Sequence, residues 1–141
     1  MLKKVIDAPK FEGGEEKKEG EVQDGAKYEK MPIGDYMVHV HVQFTKNLKI
    51  GEDTTGDPYV SVEMLNQSKQ TQCKKDATLV NLNKFDEHLF LNFNSLTKEQ
   101  VREAKINICV INKGFFKGDV IGSFELSMSK IYSEKNHLME H

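Results

Sequence analysis

No apolar run in the chain approaches the roughly 20 residues that a membrane-spanning helix needs, and the N-terminus lacks the apolar core of a signal peptide. The chain is therefore expected to be soluble. Cysteine is scarce too. Only Cys73 and Cys109 occur in 141 residues, both in apparent strands, so they read as two buried free thiols in a reducing compartment rather than a disulfide framework. Without a secretory signal, Asn66-Gln67-Ser68 reads as a turn rather than a glycosylation acceptor. A Gly-x-Ser-x-Gly elbow, a phosphate-binding loop and a Cys/His pair with an orienting third group are all missing, and no enzyme is expected. Charge of one sign is also lacking. Twenty Lys and Arg face 22 Asp and Glu for a net charge of -2, so nothing draws the whole chain to nucleic acid.

The length suits one domain plus a tail. Residues 1–33 mix Lys, Glu and Gly without a period of 2 or 3.6 and predict a disordered or loosely docked N-terminal tail, with Val5, Ile6 and Phe11 as the residues that could dock. Residues 34–141 predict the folded domain. Tyr36, Val38, Val40, Val42 and Phe44 alternate with polar residues and place one face of a strand inward. His39 and His41 share the opposite face. No Cys or carboxylate is placed by the sequence to complete a zinc site with them, so they read as outward side chains.

An acidic loop from Gly51 ends in Asp57-Pro58, where proline suits the first position of a strand and holds Asp57 at the rim. Val60, Val62 and Met64 then point inward, and after a turn a strand from Lys69 to Lys75 returns with Thr71 and Cys73 inward. Asp76 to Lys84 reads as a long connection. Phe85, Leu89, Leu91 and Phe93 make the next strand. Thr97 and Gln100 form a capping-box signature for one short helix, with Leu96 and Val101 as its staple. Ile106, Ile108 and Val110 make a strand, 112–118 a loop, and Phe124, Leu126 and Met128 the last clear strand. Short strands separated by turns predict an all-β antiparallel sandwich.

Several of these segments, in order, resemble a known family. Asp57-Pro58-Tyr59-Val60, Lys69-Gln70-Thr71, Phe85 to Phe93, Ile108-Cys109-Val110-Ile111 and Asp119-Val120-Ile121-Gly122-Ser123-Phe124 are similar to C2 domains. The Gln-Thr then Lys-Lys pattern, Phe-Asp-Glu, and Ile131-Tyr132 leading to His137 look most like the second of the tandem C2 domains of ferlins, large membrane-fusion proteins. The resemblance covers 34–141 and implies an eight-stranded Greek-key sandwich, and the order of its motifs, with the period-two runs, implies that loops 51–57, 79–86 and 112–119 cluster at one end. Six strands are evident from the sequence. One of the remaining two must come from the N-terminal tail or not at all. The other is expected beyond His141, where the family continues into a Trp-containing strand, so the chain reads as part of a longer, membrane-anchored protein acting in vesicle exocytosis.

The resemblance also implies a calcium site of about five aspartates from two loops, suited to a hard cation. Asp57 matches the second ligand of the first loop and Asp119 the last ligand of the other. The first loop is one residue short, so Glu52 or Asp53 stands for its initial Asp. In the other loop the usual aspartate pair is absent, with Asn112 and Gly114 near those places and Lys113 and Lys117 beside them. Few carboxylates and nearby cations predict calcium binding that is weak at most, and no required cofactor. Asp57 also reads as a turn residue that caps its loop.

Phe115 and Phe116 at the tip of a Gly-bounded loop are expected to insert at a lipid headgroup boundary, both together or one alone with the other folded back onto the core, with Lys69, Lys74, Lys75, Lys113 and Lys117 contacting anionic headgroups. The expected function is a non-enzymatic, calcium-independent or weakly calcium-dependent phospholipid-binding module on the cytoplasmic face of membranes. The alternative is a protein-interaction scaffold that contacts trafficking proteins or other domains of the same protein.

Overall fold

The computed structural model describes residues 2–7, 31–49, 51–114 and 118–141. Its strands, in chain order, are β1 (Leu2–Asp7), β2 (Gly34–Thr45), β3 (Thr55–Gly56), β4 (Pro58–Met64), β5 (Gln67–Gln70), β6 (Ala77–Thr78), β7 (Asn83–Leu96), β8 (Lys105–Asn112), β9 (Asp119–Ser127) and β10 (Leu138–Glu140). Eight of them form two four-stranded antiparallel sheets that face one another, the first in the order β10-β1-β2-β7 and the second in the order β5-β4-β8-β9. A ribbon of β3 and β6 ties two loops together, and two helices, α1 (Lys98–Glu103) and α2 (Met128–Ser133), fill connections.

The core lies between the sheets and follows from period-two alternation. Val38, Val40 and Val42 of β2, Leu91 of β7, Val62 and Met64 of β4, and Ile106 and Ile108 of β8 are fully buried. β-branched side chains suit such a pleated, buried surface. Thr97 caps α1 by accepting the Gln100 amide proton at 3.2 Å, while the Gln100 side chain accepts the Thr97 amide proton at 2.9 Å, completing the expected capping box.

Four local expectations need correction. The alternation in β2 breaks at a bulge between Val42 and Phe44, so Phe44 is only half-buried and Thr45 turns inward instead. The strand expected from Lys69 to Lys75 stops at Gln70. There Thr71 buries its hydroxyl and accepts the Val60 amide proton at 2.9 Å, so a side chain replaces a ladder carbonyl. Its neighbour Cys73 lies outside any strand, and both cysteines are free and half-buried rather than buried. Met128 opens α2 instead of extending β9, and its side chain is buried by that helix's inner face.

The two strands missing from the sequence pattern are both present. Leu2–Asp7, inside the segment expected to be a tail, pairs with β2 along six register positions and with β10 along three. The eighth strand is Leu138–Glu140 rather than a segment beyond His141.

Candidate functional site

At one end of the sandwich, Pro58 at the start of β4 is the register partner of Asn112 at the end of β8, and Asn112 is the partner of Asp119 at the start of β9. Thr45 closes β2 opposite Asn83 of β7. The described parts of the loops at 51–57, 79–86 and 112–119 therefore gather at this end, as expected, and hydrogen bonds lock them to one another. Asn112 Oδ1 accepts the Asp57 amide proton at 2.7 Å, the Lys113 amide donates to the Asp57 carbonyl at 2.9 Å, and the Leu79 amide donates to the Thr54 carbonyl at 2.8 Å.

Asp57 Oδ1 accepts the Asp76 amide proton at 2.8 Å. The sequence reading gave Asp57 a capping role through local hydrogen bonds; the bond its side chain makes here reaches a residue 19 positions away, in another loop. Asn112 likewise commits its side-chain oxygen to backbone. Glu52, Asp53 and Asp119 are exposed on their loops. Among the described residues, the group of three or more His, Cys, Asp or Glu side chains that converges closely enough for a metal is not here; it is His41, Asp86 and His88.

The cations fall around the same loops. The Lys74 amide donates to the Pro58 carbonyl at 2.9 Å, and the Lys74 ammonium sits 5.4 Å from the centre of the Phe85 ring. Lys75 and Lys113 are exposed. Both lie close enough to Cys73 to act on its thiol, which burial first and Asp57 second push up while Lys113 and Lys75 pull it down. Lys69 is exposed on the edge strand β5, away from the Pro58 rim. Phe115, Phe116 and Lys117 lie outside the described residues.

Exposed apolar side chains do occur at this end. Val80 and Leu82 in the 79–86 loop are 46% and 59% exposed, and Val120 at the start of β9 is 62% exposed. The sequence reading missed them. The 76–84 connection has no period, and exposure of an apolar residue is legible only when its neighbours in space are known.

A C2-domain family profile matches residues 36–141. The chain belongs to the C2 domain family. Solved structures share the fold at low identity. A portion of Extended-Synaptotagmin 2 that carries its SMP domain and two C2 domains aligns with 75% of this chain at 8% identity and a TM-score of 0.59, the chain covering 22% of that structure. A C2 domain of RIM from Drosophila aligns with 89% of the chain at 10% identity and a TM-score of 0.53, with 83% of that domain covered. Human GIVD cytosolic phospholipase A2 aligns with 70% of the chain at 14% identity and a TM-score of 0.55, with 14% of that protein covered. This C2 domain thus spans about a fifth of the first of these structures and a smaller share of the third. A search of curated protein sequences returned no match.

On the outer face of the first sheet a second cluster of polar side chains comes together. His41 of β2 is the register partner of His88 of β7, and their rings stack with centroids 4.0 Å apart and planes 11° apart. Asp86, at a positive φ of 52° where two residues of β7 face the single Gln43 of β2, brings Oδ1 to 2.8 Å from His41 Nε2. The hydrogen bond from His41, then the nearby Lys84, holds the Asp86 carboxyl below its usual range. His39 Nε2 lies 2.6 Å from His88 Nδ1, and the His39 ring stacks on Phe90 at 4.5 Å. The sequence placed His39 and His41 outward, as found, but offered them no carboxylate partner. Asp86 and a third histidine reach them only through the pairing of β2 with β7, more than 40 residues apart in the chain.

Proposed function

We propose that this C2 domain is a non-enzymatic module that binds anionic phospholipid membranes with its loop end, with weak calcium dependence or none. The observation that carries the reading is the gathering of Lys74, Lys75 and Lys113 around a rim that also exposes Val80, Leu82 and Val120. Each lysine near an anionic leaflet contributes about 1 kcal/mol, and burying an aliphatic side chain contributes about 1.5–3 kcal/mol, so both elements are needed. Phe115, Phe116 and Lys117, in the loop beside Asp119, belong to the proposed contact by sequence, and Lys69 adds charge from the β5 edge. The uses already made of Asp57 Oδ1 and Asn112 Oδ1 support weak calcium dependence, because a hard cation would have to displace those bonds. The resemblance to ferlins supports a place in a larger membrane-trafficking protein, working on the cytoplasmic face.

Cosedimentation with phosphatidylserine-containing and with neutral phosphatidylcholine liposomes, across a salt series with and without calcium, tests this. Binding is expected to the anionic vesicles alone and to change less than about twofold with calcium. Lys74→Ala with Lys75→Ala should flatten the salt dependence, since exposed charges are screened beyond about 10 Å at 0.1 M salt. Phe115→Ala with Phe116→Ala, or Val80→Ser with Leu82→Ser, should weaken binding at every salt concentration. A parent that ignores both vesicles, or variants that bind like it, would replace this reading with the protein-interaction scaffold.

A further inference from the structure

We propose that His41, Asp86 and His88 form a binding site for a first-row divalent cation of the zinc class, with His39 holding the His88 ring from behind. One ligand atom from each of the three lies within 4.8 Å of the other two. A tetrahedral zinc with bonds of 2.0–2.1 Å draws its ligand atoms to about 3.4 Å from one another. The ligand-atom separations must close by at most about 1.5 Å, and the stacked His41 and His88 rings must turn about their χ angles so that both lone pairs meet the ion, rotations open to outward-facing side chains.

The donor set selects the ion. Two imidazoles and one carboxylate suit zinc and its first-row neighbours, whereas calcium asks for six to eight oxygens. This site is thus chemically distinct from the carboxylate positions in the loops. The outer arrangement also fits. In the tautomer that carries the proton on His88 Nδ1, that nitrogen donates to His39 Nε2 at 2.6 Å and leaves His88 Nε2 for a metal, the arrangement in which His39 acts as an outer-shell partner. Asp86 divides its oxygens, Oδ1 toward His41 Nε2 and Oδ2 at 3.9 Å from Lys84. On metal binding the ion takes the place of the hydrogen between His41 Nε2 and the carboxylate, and the ring stays a neutral imidazole with its one proton on Nδ1, any second proton passing to solvent. Three protein ligands leave a fourth position for water or for a donor from a partner molecule.

The placement is built into the sheet. Three of the chain's five histidines meet on one outer face. The bulge between Val42 and Phe44 and the positive φ of Asp86 aim that carboxylate across at β2 rather than along its own strand.

The test is titration of the 141-residue chain, prepared without a histidine tag, with zinc chloride, read by calorimetry and by thermal melting. One zinc per chain is expected, with a rise in melting temperature that EDTA reverses, because an ion bound only by the native state stabilises it. His41→Gln with His88→Gln should weaken binding by about 100-fold or more, and His39→Phe by about 10- to 100-fold through loss of the outer partner. Cys73→Ser with Cys109→Ser should leave it unchanged. In parallel, zinc should shift the imidazole NMR signals of His39, His41 and His88 while leaving those of His137 and His141 in place, a readout that needs no variant. The absence of a zinc response in the parent, a response that survives His41→Gln with His88→Gln, or one carried by the cysteines would overturn the proposal.

Discussion

Tyr36 shows how far one side chain's chemistry depends on its burial. It is 3% exposed, donates its hydroxyl proton to the Pro32 carbonyl, and meets Tyr132 edge-on with ring centroids 6.3 Å apart. Burial first and Tyr132 second push the phenol up from 10.0 to about 12. A tyrosine with a raised pKa keeps its proton longer in the native state than in the unfolded chain. Its contribution is therefore fully present below pH 10 and is lost as the pH climbs from there to about 12. The expected loss over that window is on the order of 2–3 kcal/mol. Tyr36→Phe should cost about 0.5–1.5 kcal/mol at neutral pH through the missing hydrogen bond, yet make the domain less sensitive to alkali. Denaturant melts of both proteins between about pH 8 and 12 check this, and parallel alkaline losses would count against it. The inward direction of Tyr36 was legible from alternation with Val38 and Val40. The inward turn of Thr45 was not, because the bulge that reverses its parity is set by the partner strand. That turn leaves Thr45 Oγ1 without a hydrogen-bond partner among the described residues.

Among the elements, the loops at the Pro58 rim behave as one braced unit rather than three independent connections. Asn112 is the brace. Its Oδ1 accepts from the Asp57 amide, and a Cβ added at Gly56 would come within 2.7 Å of that same oxygen, so the glycine is what lets the two loops close. Asn112→Ala leaves a part-buried amide without its acceptor and should cost about 1–3 kcal/mol. Asn112→Asp keeps an acceptor in place and should stay near the parent. Urea melts would decide it, and an Asn112→Ala protein as stable as the parent would mean that water replaces the side chain. The helix α1 stands at the other extreme of legibility. Its capping box is a contact between residues three apart, and the sequence shows both partners. The brace joins residues 55 apart, and the sequence shows only that each is a short polar side chain in a loop.

For the whole molecule, the largest difference between sequence and structure lies at the N-terminus. β1 sits between β10 and β2, so it is an interior strand of the first sheet. A chain beginning at Met31 would strip the ladder from β2 and leave β10 without a partner. At about 0.5–1.5 kcal/mol for each ladder hydrogen bond, the loss should be on the order of 3–6 kcal/mol, a large share of a typical domain's stability. A dispensable tail would instead leave the melting temperature unchanged, so a single thermal melt of the shortened chain separates the two. By itself, the sequence determined the class of fold, the faces of β2, β4, β7 and β8, the cap of α1 and the gathering of loops at one end. Each of these follows from period, from turn chemistry or from contacts within a few residues, and the gathering of loops also from the order of the C2-like motifs. Tertiary structure alone decided that Leu2–Asp7 is a strand, that Asp57 and Asn112 commit their side-chain oxygens to backbone, and that His41 meets His88 and Asp86. Strand pairing sets those meetings, and the register that aligns residue 41 with residue 88 is a property of two strands together, carried by neither sequence segment alone.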